Sequence, residues 1–424
     1  MLGLRFFGKI FSKYKVLLEN IGFLSILKLV EMLIPLVTVP YLTRTIGLSN
    51  YGRVAFALSL GELCALIVRF GFDVTSVQKI SSNKKDWPYI KRIFWSTFLI
   101  KSGIMILCLG ILSMVILSIP ELFVERRLYF SSFLVVVFEA ISCVWFYQGI
   151  QKMKYITYFN LSGRFASLLF IFTLVESPED YDLVPLFQFI GPVVLAIFSI
   201  YFAINKFKLN FFIPDRLLII SAIKDSSLLF LQRISLNLYT SFNIPILGIL
   251  TDPSTTGIYA AGFKIIKTVN SLRVPLSQAL FPHVSELMSK SRESGIIFLK
   301  KIIKIIGFVY LLISAVTFVL SDWITLTLLG EEFAEAAAVL RILSLFPFFV
   351  SLSSIIALQG MINLGYKSQS LAIVTIVGII HMSLMLLFGS SGYMFLSWLV
   401  LFSECLVVIL MSTFLRVKGI RLIL

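Results

Sequence analysis

The feature that most constrains this chain is a conflict repeated along its length. About a dozen apolar stretches are long enough to cross a bilayer, and Lys, Arg, Asp and Glu interrupt many of them from within. A charge at the bilayer centre costs about 2.5–3.5 kcal/mol even on the lenient insertion scale. Charges kept at that cost face a water-filled cavity or one another. The pattern predicts a transporter with a polar lumen, and the lumen charge is mostly positive.

Composition agrees with helices rather than a barrel. The 424 residues are 58% hydrophobic and 14% charged, with forty Phe against 24 Gly and 13 Pro, and the mean hydropathy is +0.97. Outer-membrane barrels need segments of about 10 residues that alternate apolar and polar. Residues 102–119 and 369–388 are instead continuously apolar. Cys64, Cys108, Cys143 and Cys405 all fall within apolar stretches without metal-ligand spacing, and read as small core hydrophobes. The N-terminus carries Arg5, Lys9, Lys13 and Lys15 and runs straight into a long apolar segment, as an uncleaved signal anchor does. Its first 18 residues read as an amphipathic helix on the inner membrane surface.

Twelve spans are expected, at residues 20–43, 54–76, 93–119, 128–150, 156–176, 183–204, 226–250, 257–282, 302–329, 333–362, 369–389 and 392–415. Hydropathy alone would discard the eighth, which Lys264, Lys267, Asn270, Arg273 and Gln278 spoil. Basic residues retain it. With twelve spans, twenty-four Lys and Arg fall on one side and only Arg44, Arg53, Arg126 and Arg127 on the other. Removing the eighth span would invert everything after it and destroy that asymmetry. The net charge of +15 is thus a topology signal, not a nucleic-acid one. The expected fold is an all-α polytopic membrane protein with both termini cytoplasmic. Its parts are an N-terminal interfacial helix (1–19), an N-lobe (20–204), a basic cytoplasmic linker (205–225), a C-lobe (226–415) and a tail (416–424).

The halves resemble each other. Ile34-Pro35-Leu36 ends the first span and Ser-Asn-Tyr-Gly52 opens the second. Ile244-Pro245-Ile246 ends the seventh and Ser-Thr-Thr-Gly257 opens the eighth. Gln148-Gly149 closes the fourth span and Gln359-Gly360 the tenth. Shared order at a spacing of half the chain predicts two like-oriented six-helix repeats.

Polar residues inside the spans fall on particular faces. Span two, read as one helix, gathers Glu62, Arg69, Asp73 and Ser76 within about 40°. Arg69 and Asp73 at i,i+4 are either an internal salt bridge or part of a passage. Span eight places Lys264, Lys267, Asn270, Ser271 and Gln278 on one face, too polar for lipid. Span seven adds Arg233, Asn237 and Thr240, and span one adds Lys28 and Glu31. Lys101 and Arg164 sit near helix ends and read as snorkelling, whereas Glu139 and Glu404 are nearly central.

The spans hold nine basic residues, namely Lys28, Arg69, Lys101, Arg164, Arg233, Lys264, Lys267, Arg273 and Arg341. Against them stand five acidic ones, Glu31, Glu62, Asp73, Glu139 and Glu404. The surplus favours an anionic substrate, with Arg69, Arg233, Lys264 and Lys267 as the expected phosphate contacts. Glu62, Asp73, Glu139 and Glu404 are candidates for ion coupling, and Lys28, Glu31, Arg273 and Arg341 for further lumen positions. There is no phosphate-cradling G-x-x-x-x-G-K-[ST] loop, no H-E-x-x-H, and no loop long enough for a soluble catalytic domain. No enzyme activity, metal or cofactor is expected. The two histidines are His283, read in a cytoplasmic loop, and His381 within span eleven, read as a packed, hydrogen-bonded residue.

Several stretches resemble a known family. Pro40-Tyr-Leu-Thr-Arg-Thr-Ile-Gly-Leu-Ser-Asn-Tyr-Gly52 and Trp145-Phe-Tyr-Gln-Gly-Ile-Gln-Lys-Met-Lys154 look like the polysaccharide branch of the MOP exporter superfamily. So do Gly257-Ile-Tyr-Ala-Ala-Gly-Phe-Lys264 and Ala279-Leu-Phe-Pro282. The resemblance spans essentially the whole chain and is nearest to Wzx-type O-antigen flippases. It implies a V-shaped MATE-like pair of six-helix lobes in the bacterial inner membrane. It also implies an undecaprenyl-pyrophosphate-linked oligosaccharide as substrate, carried from the cytoplasmic to the periplasmic leaflet. Membrane lipid, a polysaccharide polymerase and a chain-length regulator are the implied partners, and nucleic acid is not among them. The lipid II flippase branch has two more C-terminal helices, multidrug exporters of the superfamily handle cations, and O-antigen polymerases carry a large periplasmic loop that this chain lacks.

Overall fold

A computed structural model describes the backbone from Leu2 to Leu422. It describes the side chains of Glu19 and of Gly22 onward, apart from residues 274, 275, 278, 279, 282, 283, 423 and 424. The surface placement expected for the first 18 residues and the face position of Gln278 lie outside the described residues. Among the described residues every regular element is helical.

The first element, α1 (Leu2–Arg69), covers the first expected span and most of the second. A straight helix of that length would be about 100 Å long, against a hydrocarbon core of about 30 Å, so it must fold back. It does so at Gly47, whose φ of 77° and ψ of 173° are non-helical. Glycine reaches that conformation without the Cβ clash that other residues suffer. The backbone amide that the kink frees at Leu48 donates to the Glu332 carboxylate at 3.1 Å, capping the second helical segment as an N-terminal acceptor does. Pro35 and Pro40 lie inside α1, so neither ends the first span.

A short α2 (Phe72–Ser82) completes the second span, and α3 (Trp87–Ser118) forms the third, N-capped by Asp86. After a short α4 (Pro120–Val124), the fourth is assembled from α5 (Arg126–Ser132), α6 (Leu134–Ile141) and α7 (Val144–Gly149). Then come α8 (Met153–Leu174), a 3-10 turn (Pro178–Leu183), α9 (Val184–Phe207), α10 (Arg216–Asn237), α11 (Asn243–Leu250) and α12 (Pro253–Ser271). Beyond these lie α13 (Arg273–Lys290), α14 (Arg292–Val319), α15 (Ser321–Leu328), α16 (Ala336–Leu343) and α17 (Phe346–Ser354). A π-helical segment (Ile355–Met361) leads to α18 (Lys367–Phe388) and α19 (Tyr393–Val417).

Among the described residues eight helical stretches are long and apolar enough to cross a membrane, which makes this a multi-pass membrane protein. The first of them, Gly22–Ser82, contains two of the expected spans. The expected spans that do not qualify by themselves are those built on α8, on α10 with α11, and on α12 with α13. These helices carry Arg164, Arg233, and Lys264, Lys267 and Arg273.

By contacts the chain divides into a first unit, Met1–Ile34 with Leu60–Leu231, and a second unit, Pro35–Ser59 with Gln232–Leu424. The first has an aromatic core in which Phe94, Trp95, Trp145, Phe146 and Tyr147 pack together. The Phe94 and Phe146 rings meet edge to face at 5.2 Å, and the Trp95 indole donates to the Asn210 carbonyl at 2.9 Å. The second has an aliphatic core around Ile356, Met361, Val377, Val407 and Met411.

Within the second unit two repeated motifs meet. A Cβ on Gly52 would stand 1.8 Å from the Pro253 carbonyl oxygen, and one on Gly257 would stand 2.7 Å from the Leu48 carbonyl oxygen. Backbone touches backbone here, as small residues allow in membrane helix pairs.

Candidate functional site

Two ion-pair triads organise the charges of the first unit. In one, Glu139 on α6 accepts from Arg69 Nε at 2.8 Å and from Lys101 Nζ at 3.3 Å. In the other, Glu31 on α1 accepts from Lys28 Nζ at 2.6 Å and from Arg164 Nη2 at 3.0 Å. Each is one carboxylate between two cations, so each carries a net positive charge while every member has a partner.

This arrangement corrects three expectations. Arg69 and Asp73 do not share a continuous helix, because Phe70 (φ 42°) and Gly71 (φ 82°) separate α1 from α2. The four-residue face drawn through Glu62, Arg69, Asp73 and Ser76 is therefore broken. The ion pair of Arg69 is with Glu139, while Ser76 bonds the Thr97 hydroxyl at 2.8 Å. Asp73 and Glu62 remain within electrostatic reach of Arg69. Nor does Lys101 snorkel: its side chain is only 3% exposed and turns inward to Glu139. Arg164 likewise reaches across to α1 instead of out to an interface.

In the second unit the seventh span is not one helix. It breaks between Asn237 and Asn243, ahead of Pro245, so Thr240 sits in the break and not on a helical face with Arg233. Asn237 donates to the Arg233 carbonyl at 2.7 Å and accepts from the Ser241 hydroxyl at 2.8 Å. Those bonds satisfy backbone and side-chain groups that the break would otherwise strand.

The eighth span continues past its expected end to Lys290, with α12 giving way to α13 at Leu272. His283 is consequently on a helix rather than in a loop. Lys264 is partly buried and lines a narrow cleft with Pro35, Pro40, Thr268 and Leu328. Lys267, one turn on, is exposed, and no ion pair engages it among the described residues.

Arg273 donates to the Ser354 hydroxyl at 2.6 Å. Near it the buried Glu404 of α19 accepts from Ser353 at 3.2 Å. Arg341 pairs with Asp322 at 2.5 Å, both partly exposed. By the same bounds Asp322 and Lys304 fall inside the expected ninth span, Glu176 inside the fifth, and Glu335, which accepts from the Tyr393 hydroxyl at 2.7 Å, inside the tenth, beside the nine basic and five acidic residues assigned to the spans. The cationic surplus inside the spans is accordingly smaller than simple counting gave.

His381 is fully buried, as its apolar setting suggested. Its ring nitrogens meet Ser403 Oγ at 2.8 Å and Asn243 Oδ1 at 2.9 Å. Among the described residues no group of three or more His, Cys, Asp or Glu side chains could hold a metal ion.

The family profile described as "Polysaccharide biosynthesis protein" matches residues 17–288. Two curated relatives are both named "Putative O-antigen transporter". One, from Escherichia coli (strain K12), is 25% identical over 94% of this chain and 96% of its own length. The other, from Shigella dysenteriae, is 27% identical over 93% of this chain and 98% of its own. Among solved structures, the lipid II flippase MurJ in an inward closed conformation superposes with a TM-score of 0.72 at 16% identity, covering 93% of this chain and 87% of that one. An inward-facing multidrug resistance MATE family transporter of the MOP superfamily gives 0.63 at 11% identity, covering 91% and 98%. Those likenesses establish the fold, and the profile match over more than half the chain establishes the lineage: this protein belongs to the polysaccharide biosynthesis protein family and has the fold of MOP-superfamily transporters.

Proposed function

We propose that this protein flips an undecaprenyl-pyrophosphate-linked oligosaccharide, an O-antigen or related repeat unit, from the cytoplasmic to the periplasmic leaflet of the bacterial inner membrane. On this reading the chain has twelve spans in two six-helix halves, 20–204 and 226–415, with both termini cytoplasmic. Topology rests on the asymmetry of Lys and Arg between alternate loops. The carrying observation is Lys267: an exposed cation on a helix too polar for lipid, engaged by no ion pair among the described residues, in a member of a polysaccharide biosynthesis family.

An uncompensated ammonium inside a membrane protein is stabilised when an anion arrives, and a pyrophosphate supplies that charge. Arg233 and Lys264 lie on the helices that hydropathy alone rejects, and they extend the anion-binding set. Arg69, in the first unit, is a separate candidate contact for phosphate. The glycan is hydrophilic and needs the polar face, while the polyprenyl tail stays in the bilayer. Transport then proceeds by alternating exposure of these groups to the two sides.

The test is translocation of lipid-linked oligosaccharide in vesicles containing the purified protein. Wild type should move substrate to the far leaflet, and protein carrying Ala at Lys267, Lys264, Arg233 and Arg69 should not. Equal movement by both, at equal protein content, would remove the anion account.

A further inference from the structure

The junction of α11, α18 and α19 in the second unit holds a histidine whose surroundings accept either protonation state. Asn243 is the first residue of α11, immediately after the break in the seventh span. Its amide nitrogen donates to the Tyr239 carbonyl at 3.2 Å, which leaves Oδ1 as the atom facing His381 Nε2 at 2.9 Å. An amide oxygen can only accept, so Nε2 carries a proton.

The other ring nitrogen faces a hydroxyl with a choice. Ser403 Oγ is 2.8 Å from His381 Nδ1 and 2.8 Å from the Leu399 carbonyl oxygen. With a neutral ring, Ser403 donates to Nδ1. With a second proton on the ring, Nδ1–H donates to Oγ, and the hydroxyl swings its hydrogen to Leu399. Rotation of one O–H bond therefore keeps both ring nitrogens hydrogen-bonded in either state. Asn243, His381 and Ser403 are all buried, so water is not needed for either arrangement.

Other titratable and charged groups face this junction. Tyr239, from the break itself, has its ring 6.2 Å from the imidazole, and its hydroxyl reaches Glu404, the residue after Ser403 on α19. Tyr259 of α12 faces Asn243. Arg273 lies beyond Glu404 and bonds Ser354. Glu404 thus lies two side chains from the ring without being its direct partner.

We propose that His381 is a proton-binding site and that its proton is the ion coupled to transport. This rests on the flippase reading above and adds the coupling ion to it. Asn243 ties the ring to the helix fragment that follows the break, and Arg233 lies one turn before the break on α10. A charged ring in a dry setting is costly, so protonation favours whichever conformation of the broken span lets the ring meet more polar surroundings. Proton occupancy at His381 and anion occupancy at Arg233 thereby act on the same broken helix.

The chain has two histidines, so a His283→Gln variant leaves His381 as the only imidazole. Nitrogen-15 NMR of that protein in bilayers reads its tautomer and charge directly. The expected result is a neutral Nε2–H ring at alkaline pH that converts to imidazolium as the pH falls from about 8 to about 4. Asn243→Asp should move that midpoint upward, because a carboxylate then faces Nε2. A ring that keeps one form throughout this range, or a neutral Nδ1–H tautomer, overturns the proposal even if the Asp variant fails to fold. In vesicles, a pH gradient at zero membrane potential should speed glycan translocation several-fold for wild type and leave His381→Asn unaffected. Equal gradient dependence in both also overturns it. A titrating ring in vesicles that move no lipid-linked glycan under any gradient counts against the flippase reading instead.

Discussion

The two units handle polar groups inside the membrane differently. In the first, Glu31 and Glu139 are each clasped by two cations. In the second, the buried polar groups are bound chiefly by neutral partners: His381 by Ser403 and Asn243, Glu404 by Ser353, and Arg273 by Ser354. Charged triads are strong but intolerant, because losing one member strands another charge. Neutral clasps are weaker, and hydroxyl rotors let them change partners. The first unit is thus built to hold its charges in place. The second is built to let charge arrive and leave, and Lys267 is an exposed cation on one of its helices.

The sharpest way to break this contrast is Lys267→Glu. If the second unit takes up the substrate anion, reversing the charge abolishes glycan export at normal protein levels, Lys267→Ala reduces it strongly, and Lys267→Arg keeps it. Export is read from surface polysaccharide in cells lacking the native gene. Export by the Glu variant at wild-type levels would assign Lys267 to the protein surface and leave the anion role to the triads.

Glu139→Ala probes the opposite side. It strands the buried Lys101 against Arg69, and breaking a buried pair costs about 3–5 kcal/mol. The purified variant should melt well below wild type or fail to accumulate. Adding Lys101→Met should recover much of that loss, since the stranded charge is then gone. If Glu139→Ala melts like wild type, the triad does not hold the unit together.

Asn243→Ala is the matched change in the neutral clasp. It leaves Nε2–H without an acceptor, at a cost of about 1–3 kcal/mol. The melting shift should be clearly smaller than for Glu139→Ala. Equal shifts would erase the distinction between charged and neutral clasps.

Much of this was legible in the sequence. Long apolar runs give helices that cross a membrane, and an isolated intramembrane His had to be a bonded one. What periodicity could not give was the set of breaks. The face through Arg69 and Asp73 assumed an unbroken helix, and the left-handed Phe70–Gly71 step defeats that geometry. Gly71 was the available signal, since a glycine next to a charged pair allows a turn that the hydropathy of span two conceals. Pairing across helices was equally hidden: Glu31 and Arg164 are 133 residues apart, and Glu139 and Arg69 are 70 apart. Helical spacing relates only neighbours on one helix, so Lys101 and Arg164 looked like snorkelling side chains. Asp322 escaped the charge count because it sits at the edge of an apolar run, where its pairing with Arg341 depends on a turn.

Not every carboxylate of the first unit follows the triad pattern, and Asp180 gives the smallest effect. Asp180, in the turn between α8 and α9, is held by neutral donors: the Ser177 amide at 2.9 Å, the Ser177 hydroxyl at 2.9 Å and the Glu176 amide at 3.1 Å. Three donors to the ionised form hold its pKa below the usual carboxylate value, with the Ser177 amide the largest contributor. A depressed pKa in the folded protein stabilises the turn at any pH above the unfolded value of about 3.9, and the benefit is lost as pH falls through the folded one. Amide exchange at Glu176 and Ser177, corrected for the intrinsic rate, should therefore stay slow from neutral pH down to about pH 4 and lose protection below it. Asp180→Asn should remove the acid step while leaving export intact, because the turn carries no cation of either triad. If the wild-type amides lose protection near neutral pH, their partner is not the Asp180 carboxylate.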